Sequence, residues 1–128
     1  MFFFCERIPK VDMGEGVVRQ DFAQGQRMNV LHWDMADGSE VKLHAHPQEQ
    51  FGYVIRGGFE ISIEGKTTVL KQGDAYFIPP NVPHSFRAVG DTEAIDVFSP
   101  AKSDFPWVET PPLTGQNRIH PMSQNLHE

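Results

Sequence analysis

Proline and glycine break this chain into short pieces, with ten prolines and eleven glycines spread over 128 residues. Between them, no apolar pattern with the 3.6-residue period of a helix continues for long, so little helix is expected. The pieces instead alternate between polar and apolar residues and are rich in Val, Ile, Phe and Thr, which is typical of β-strands. The sequence therefore predicts an all-β protein, an antiparallel sandwich or barrel.

At least seven strands are expected, separated by turns. The clearest pair is a hairpin, because 59–63 alternates cleanly, Glu64-Gly65-Lys66 forms a turn, and 67–70 returns. The other strands are expected at 26–35, 41–46, 50–56, 75–78, 85–89 and 94–98.

The chain length suits one domain, which we assign to residues 1–105. After Ser99 the sequence becomes polar and rich in proline, with few aliphatic residues. We expect 106–128 to form an irregular C-terminal tail, partly docked or disordered. The aromatic pair Phe105 and Trp107 favours docking of the first part of this tail.

Charge and cysteine content limit the partners and the compartment. Eleven basic against seventeen acidic residues give a net charge of −6, so nucleic acid would find no general electrostatic attraction. The single Cys5 forms no intramolecular disulfide. The apolar start, Met1 to Cys5, is too short for a signal peptide or a membrane span. We expect a cytoplasmic protein without a membrane or nucleic-acid partner.

Three histidines form the pattern that carries chemistry. His44 and His46 are two residues apart in an expected strand, so both would face one side. His84 follows a rigid segment, Pro79 to Pro83. A single histidine would more readily be explained as a solvated or hydrogen-bonded strand residue. Three imidazoles delivered in this way favour a divalent metal site.

These segments resemble the two motifs of the cupin family, and the resemblance spans residues 38–88. The first motif runs from Gly38 through His44-x-His46 and Gln50 to Gly57, and the second comprises Gly73, Pro79-x-Asn81 and His84. The resemblance implies a small jelly-roll barrel holding one divalent transition metal ion through His44, His46, residue 50 and His84. Such ligands suit nickel, iron, manganese, cobalt or zinc.

Three positions depart from the cupin pattern. Ala88 replaces an asparagine, and Asn81 replaces a glycine, although asparagine tolerates a left-handed turn. Gln50 replaces the usual glutamate, and Glu49 is an alternative ligand. In a regular strand, residue 50 faces the same side as His44 and His46, which favours Gln50 as the ligand through its amide oxygen. Pro47 disturbs this alternation. Three neutral imidazoles and an amide would leave the full metal charge available to an anionic ligand.

The run from His44 to Val54 is similar to one branch of the cupins, the KdgF-type pectin-degradation proteins, which linearise 4,5-unsaturated uronates to open-chain keto-uronates. The similarity continues through Phe77–Val82 and Asp96–Phe98. It implies that Asp96 is the acid/base, that Phe98 is a wall against the sugar, and that Lys102 stands where the family has an arginine. Lysine keeps the charge but loses the bidentate fork that grips a carboxylate.

Asp96 also stands out from its own surroundings, since it interrupts the apolar strand 94–98. A buried carboxylate is costly unless it is paired or functional. The alternative is that Asp96 lies on a solvated edge of the sheet or forms an ion pair with a lysine or arginine. Phe98 shares the face of Asp96, whereas Phe51, Tyr53 and Ile55 lie opposite Gln50. That second face should be covered by the N-terminal strand, the tail or a second subunit, and the resemblance implies a homodimer.

Three functions fit this sequence. The first is a metal-dependent enzyme that opens or tautomerises a small anionic sugar acid. The second is another mononuclear-metal cupin enzyme, a dioxygenase or isomerase, but those more often have glutamate or a fourth histidine at position 50. The third is a non-catalytic small-molecule-binding cupin, because one fold hosts many functions.

Overall fold

The computed structural model describes residues 1–103, and the predicted tail 106–128, with Phe105 and Trp107, lies outside them. Among the described residues there is one short 3-10 turn, Cys5–Arg7, and no α-helix. Ten strands are the other regular elements: β1 Val11–Gly14, β2 Val17–Gln24, β3 Asn29–Met35, β4 Glu40–His44, β5 Glu49–Arg56, β6 Gly58–Ile63, β7 Lys66–Lys71, β8 Ala75–Ile78, β9 His84–Ala88 and β10 Thr92–Ser99.

The strands form two antiparallel sheets packed face to face. The six-stranded sheet has the order β1-β2-β3-β10-β5-β8, and the four-stranded sheet has the order β4-β9-β6-β7. The side chains between the sheets form one apolar core, which includes Leu31, Val54, Ile61 and Phe86. The predicted all-β antiparallel barrel, a jelly roll, is confirmed.

Turn chemistry accounts for the predicted hairpin and for the loop before His84. β6 and β7 pair from Gly58↔Lys71 to Ile63↔Lys66, and the turn residues Glu64 and Gly65 both have positive φ. That conformation matches the twist of a tight hairpin. Asn81 also has a positive φ of 64°, so this asparagine occupies the left-handed position expected of it.

No residues were assigned from the sequence to the two N-terminal strands, β1 and β2, although an N-terminal strand was invoked as a possible cover for the outer face. The reason is that β2 directs charged residues inward, which hides its alternation. Arg19 and Asp21 are both buried and form an ion pair, with Nε 2.7 Å from Oδ1. Such a pair is tolerated in a core only when both charges are satisfied.

The outer face of the six-stranded sheet is covered on one side only. There the N-terminal segment lies over β2, where the Gln20 amide donates to the carbonyls of Cys5 and Ile8 at 2.8 and 3.0 Å. Farther along, Phe51 and Phe77 are 46% and 51% exposed. Within residues 1–103, the N-terminal strands therefore do not cover this aromatic face. No helix in this part of the chain is long and apolar enough to span a membrane.

Candidate metal centre and pocket

The three histidines converge at one end of the barrel. His44 ends β4 and is in register with His84, which begins β9. β4 stops at His44, so His46 lies just beyond the strand that was predicted to contain it, in front of Pro47. The nitrogen atoms that the three rings could offer to a metal ion all lie within 4.8 Å of one another.

Backbone carbonyls fix the orientation of all three rings. The Nδ1 atoms of His44, His46 and His84 lie 2.7, 3.1 and 2.8 Å from the carbonyl oxygens of residues 42, 48 and 82. A carbonyl only accepts, so each Nδ1 carries the proton and each Nε2 keeps its lone pair. Hydrogen bonds of this kind orient metal-binding histidines in proteins.

Two contacts indicate that a cation fits between these groups. The His84 Nε2 is buried and has no hydrogen-bond partner among the described residues. The His46 Nε2 lies 3.0 Å from the Gln50 Oε1, although the proton of a neutral His46 is already committed at Nδ1. Two acceptor atoms therefore face each other. Gln50 is buried on β5, whereas Glu49 is exposed. The residues present thus suit a divalent metal held by three imidazoles and an amide oxygen.

Burial keeps the histidines neutral. It lowers the pKa of His44 and His46, and it lowers the pKa of His84 to about 4, with smaller contributions from mutual repulsion and from Lys102. Only an unprotonated imidazole coordinates a metal, so the cluster is competent to bind at neutral pH.

The stability of the metal-free protein should decrease as the pH falls from about 6.5 to about 4. An unfolded histidine takes up a proton near 6.5, whereas folded His84 does so near 4, so the unfolded state binds more protons between these values. Asp96 acts in the opposite sense, because its pKa is raised from 3.8 to about 6, but three histidines outweigh one carboxylate. Urea midpoints of chelator-treated protein at pH 7 and pH 5 measure the effect. His84→Gln should weaken the dependence, and equal midpoints for the unsubstituted protein would contradict it.

Asp96 lies inside the barrel, so its predicted solvated alternative does not hold. The side chain is 6% exposed, and the Tyr76 hydroxyl donates to its Oδ1 at 2.6 Å. Burial raises the pKa of Asp96 to about 6, although the hydrogen bond from Tyr76 and the neighbouring Gln50 and Trp33 side chains act against that rise. Tyr76 was not singled out from the sequence, because it lies in the apolar run Ala75–Ile78, where an aromatic residue is expected in the core.

Phe98 and Lys102 face the same cavity as Asp96. The Phe98 ring lies edge-on to His46, with centroids 5.8 Å apart. Lys102 is 2% exposed, and its backbone is held by Asn29, which donates to the Lys102 carbonyl and accepts from the Lys102 amide, both at 2.8 Å. Asn29 was also not predicted, since a contact between positions 29 and 102 leaves no local sequence pattern.

The cavity itself is small, at about 30 Å³. Its walls include polar groups from both sheets, namely His44, Gln50, Tyr76, Asp96 and Lys102. His32 lies elsewhere, on the outer face, where its Nε2 is 2.6 Å from Glu93. A ligand larger than a few atoms would place only one end in this cavity.

Comparison with known proteins extends over nearly all of the described chain. The cupin domain model matches residues 31–98. The pectin degradation protein KdgF of Dickeya dadantii is 31% identical over 106 residues, which covers 81% of this chain and 96% of that protein. The structure of KdgF from Halomonas sp. has a TM-score of 0.77 at 30% identity, covering 80% of this chain and 94% of that one. An RmlC-like cupin from Shewanella frigidimarina has a TM-score of 0.78 at 35% identity, covering 81% and 94%.

Proposed function

This chain belongs to the cupin domain family, and we propose that it is a metal-dependent enzyme that opens a 4,5-unsaturated uronate to the open-chain keto-uronate. The similarity to two KdgF proteins supports the choice of substrate class. The observation that carries the proposal is the placement of a buried carboxylate, Asp96, in one cavity with His44, Gln50 and Lys102. A cavity that combines uncharged metal ligands, a carboxylate able to carry a proton and the ammonium group of Lys102 suits a small anionic substrate.

The proposed metal ligands are the Nε2 atoms of His44, His46 and His84 and the Oε1 of Gln50. A divalent transition metal bound there would act as a Lewis acid toward the oxygen atoms of the substrate. None of the four ligands carries a negative charge, so the positive charge of the ion would remain available to a carboxylate. In our account, Gln50 thus favours an anionic substrate more than glutamate would.

Lys102 and Phe98 would position the sugar acid. The Lys102 ammonium group supplies a positive charge to the substrate carboxylate, inside a site where water is largely excluded. Phe98 offers an apolar wall beside His46. Because the cavity is about 30 Å³, the charged end of the sugar enters it and the remainder lies at the mouth.

Asp96 would move the proton. Its carboxylate takes the proton of the anomeric hydroxyl, the C1 carbonyl forms, and the bond from C1 to the ring oxygen breaks. The electron pair released to that oxygen yields the enolate of the C4–C5 double bond. Asp96 then returns the proton to C4, which leaves a ketone at C5, so atoms and electrons balance without an oxidant. A pKa of about 6 allows both protonation states near neutral pH.

Turnover of unsaturated galacturonate tests this function. The purified protein should accelerate the loss of the enol-ether absorbance, and saturated galacturonate, which lacks the double bond, should remain unchanged under the same conditions. A rate no greater than that in buffer would reject the proposal.

Lys102→Met should raise KM for the uronate by roughly tenfold or more with a smaller change in kcat, because the lost interaction is a charged contact to a non-reacting carboxylate. Lys102→Arg should be tolerated or improve binding, since arginine keeps the charge and adds a bidentate donor. Steady-state kinetics of the two variants give the comparison. A fall in kcat at unchanged KM for Lys102→Met would assign Lys102 a different role.

We also propose a homodimer formed through the aromatic outer face. Phe51 on β5 pairs directly with Phe77 on β8, and both rings are about half exposed. Exposed apolar surface of this kind marks association sites. Light scattering after size-exclusion chromatography should give twice the 14.5 kDa chain mass. Phe51→Glu with Phe77→Glu should give one chain mass, while Val69→Glu, an exposed change on the other sheet, should not. A wild-type mass of one chain would contradict the dimer.

A further inference from the structure

A row of three residues crosses the six-stranded sheet beneath the cavity. Gly52 on β5 is in register with Asp96 on β10 at one side and with Tyr76 on β8 at the other. All three positions are buried on the inner face of the sheet. The middle position of this row has no side chain.

The Tyr76 ring occupies the space that a side chain at position 52 would fill. A Cβ placed on Gly52 would overlap the Cζ, Cε2 and hydroxyl oxygen of Tyr76. Gly52 is not among the glycines with positive φ, so the backbone there does not require glycine. Space for Tyr76 is therefore the reason for a glycine at this position.

This space lets Tyr76 reach a strand that is not its neighbour. Adjacent strands lie about 4.8 Å apart, so β8 and β10 are separated by roughly twice that distance. The Tyr76 side chain spans the gap over Gly52, and its hydroxyl donates to Asp96 Oδ1 at 2.6 Å. The ring is packed against Phe59 and Phe86, with centroids 6.3 and 5.2 Å away, so its direction is fixed.

The hydrogen bond has a defined direction. Burial and the neighbouring Asp96 raise the pKa of Tyr76 well above its usual value, so the phenol keeps its proton. A protonated phenol facing a carboxylate donates, which engages one Asp96 oxygen and restricts rotation of the carboxyl group. A positioned carboxylate of this kind is what proton transfer requires.

We propose that Tyr76, seated over Gly52, is the positioning residue for Asp96, and that Gly52 is required because a side chain there would displace the phenol. This inference rests on the proposed function, in which Asp96 transfers the proton. Tyr76 also lines the cavity, and the role assigned to it here is exerted through the Asp96 carboxylate.

A double-mutant cycle in activity tests the positioning role. Tyr76→Phe removes one oxygen and keeps the ring, so metal content and KM should stay unchanged while kcat falls roughly ten- to hundredfold. In the Asp96→Asn background, Tyr76→Phe should cause no further fall, because the group that it positions is already lost. An equal fall in both backgrounds, or no fall in the unsubstituted protein, would overturn the proposal.

A second cycle, in thermal stability, tests the role of Gly52 without using activity. Gly52→Ala should lower the melting temperature clearly in the presence of Tyr76, and much less in a Tyr76→Leu background, where the side chain is shorter. Equal losses in the two backgrounds would show that Gly52 does not make room for Tyr76. If the wild-type protein fails to turn over the uronate, the proposed function and the catalytic part of this inference fall together. The stability cycle then still decides whether Gly52 shapes the Tyr76–Asp96 contact.

Discussion

The combined substitution His44→Ala and His84→Ala is expected to abolish metal binding. Elemental analysis of the wild-type protein should find about one divalent transition metal ion per chain. Removing two of three imidazoles leaves one imidazole and one amide, too few ligands for a closed site. His44 and His84 are in register across β4 and β9, and within residues 1–103 His46 is the only other histidine of the cluster.

His32→Gln is the matched control for this result. His32 is also buried, but it lies on the outer face beside Glu93 and outside the three-histidine cluster. That variant should keep its metal. Full occupancy in the His44→Ala, His84→Ala protein would show that the ligand set is wrong.

Asp96→Asn is expected to lower kcat for the unsaturated uronate at least about a hundredfold, the usual scale for a positioned acid/base. The amide has nearly the same shape as the carboxyl group and still accepts the hydrogen bond from Tyr76. Fold and metal content should therefore be preserved, as circular dichroism and elemental analysis would report. The loss should appear in kcat more than in KM, because Asp96 moves a proton and does not grip the carboxylate.

Asp34→Asn is the matched control, since it makes the same chemical change on the outer face of the same sheet, near Arg56. This variant should leave kcat and KM unchanged. If Asp96→Asn also has near wild-type kinetics, Asp96 is not the acid/base. Its burial would then need a purely structural explanation.

Local patterns predicted most of the barrel because most strands bury one apolar face and expose the other. β5 alternates strictly, with Gln50, Gly52 and Val54 buried between exposed residues. The pattern failed at β2, where the inward-facing Arg19 and Asp21 satisfy each other in an ion pair. A sequence pattern reads such residues as surface, because the partner that makes their burial possible cannot be seen locally.

The residues of the candidate site likewise fall into those that local sequence predicts and those that depend on contacts between distant strands. His44, His46 and His84 could be found from spacing, and Asp96 from its apolar surroundings. Contacts between distant strands could not be found. Tyr76 reaches Asp96 over Gly52, and Asn29 holds the backbone of Lys102, only because the sheet brings separate segments together. The functions of such residues depend on register and on the volume of neighbours, which no short window of sequence contains.

Titration of the metal-free protein with a divalent metal, with uronate turnover as the readout, tests whether catalysis depends on the three-histidine site. Manganese, iron(II), cobalt, nickel and zinc would each be added to chelator-treated protein, and the His44→Ala, His84→Ala variant would be treated in parallel. We expect negligible turnover without metal. With at least one of the five metals, the rate should rise in proportion to the added ion and level off at about one equivalent per chain, and the variant should not respond. Metal-free protein that turns over the uronate as fast as the loaded protein would contradict this account.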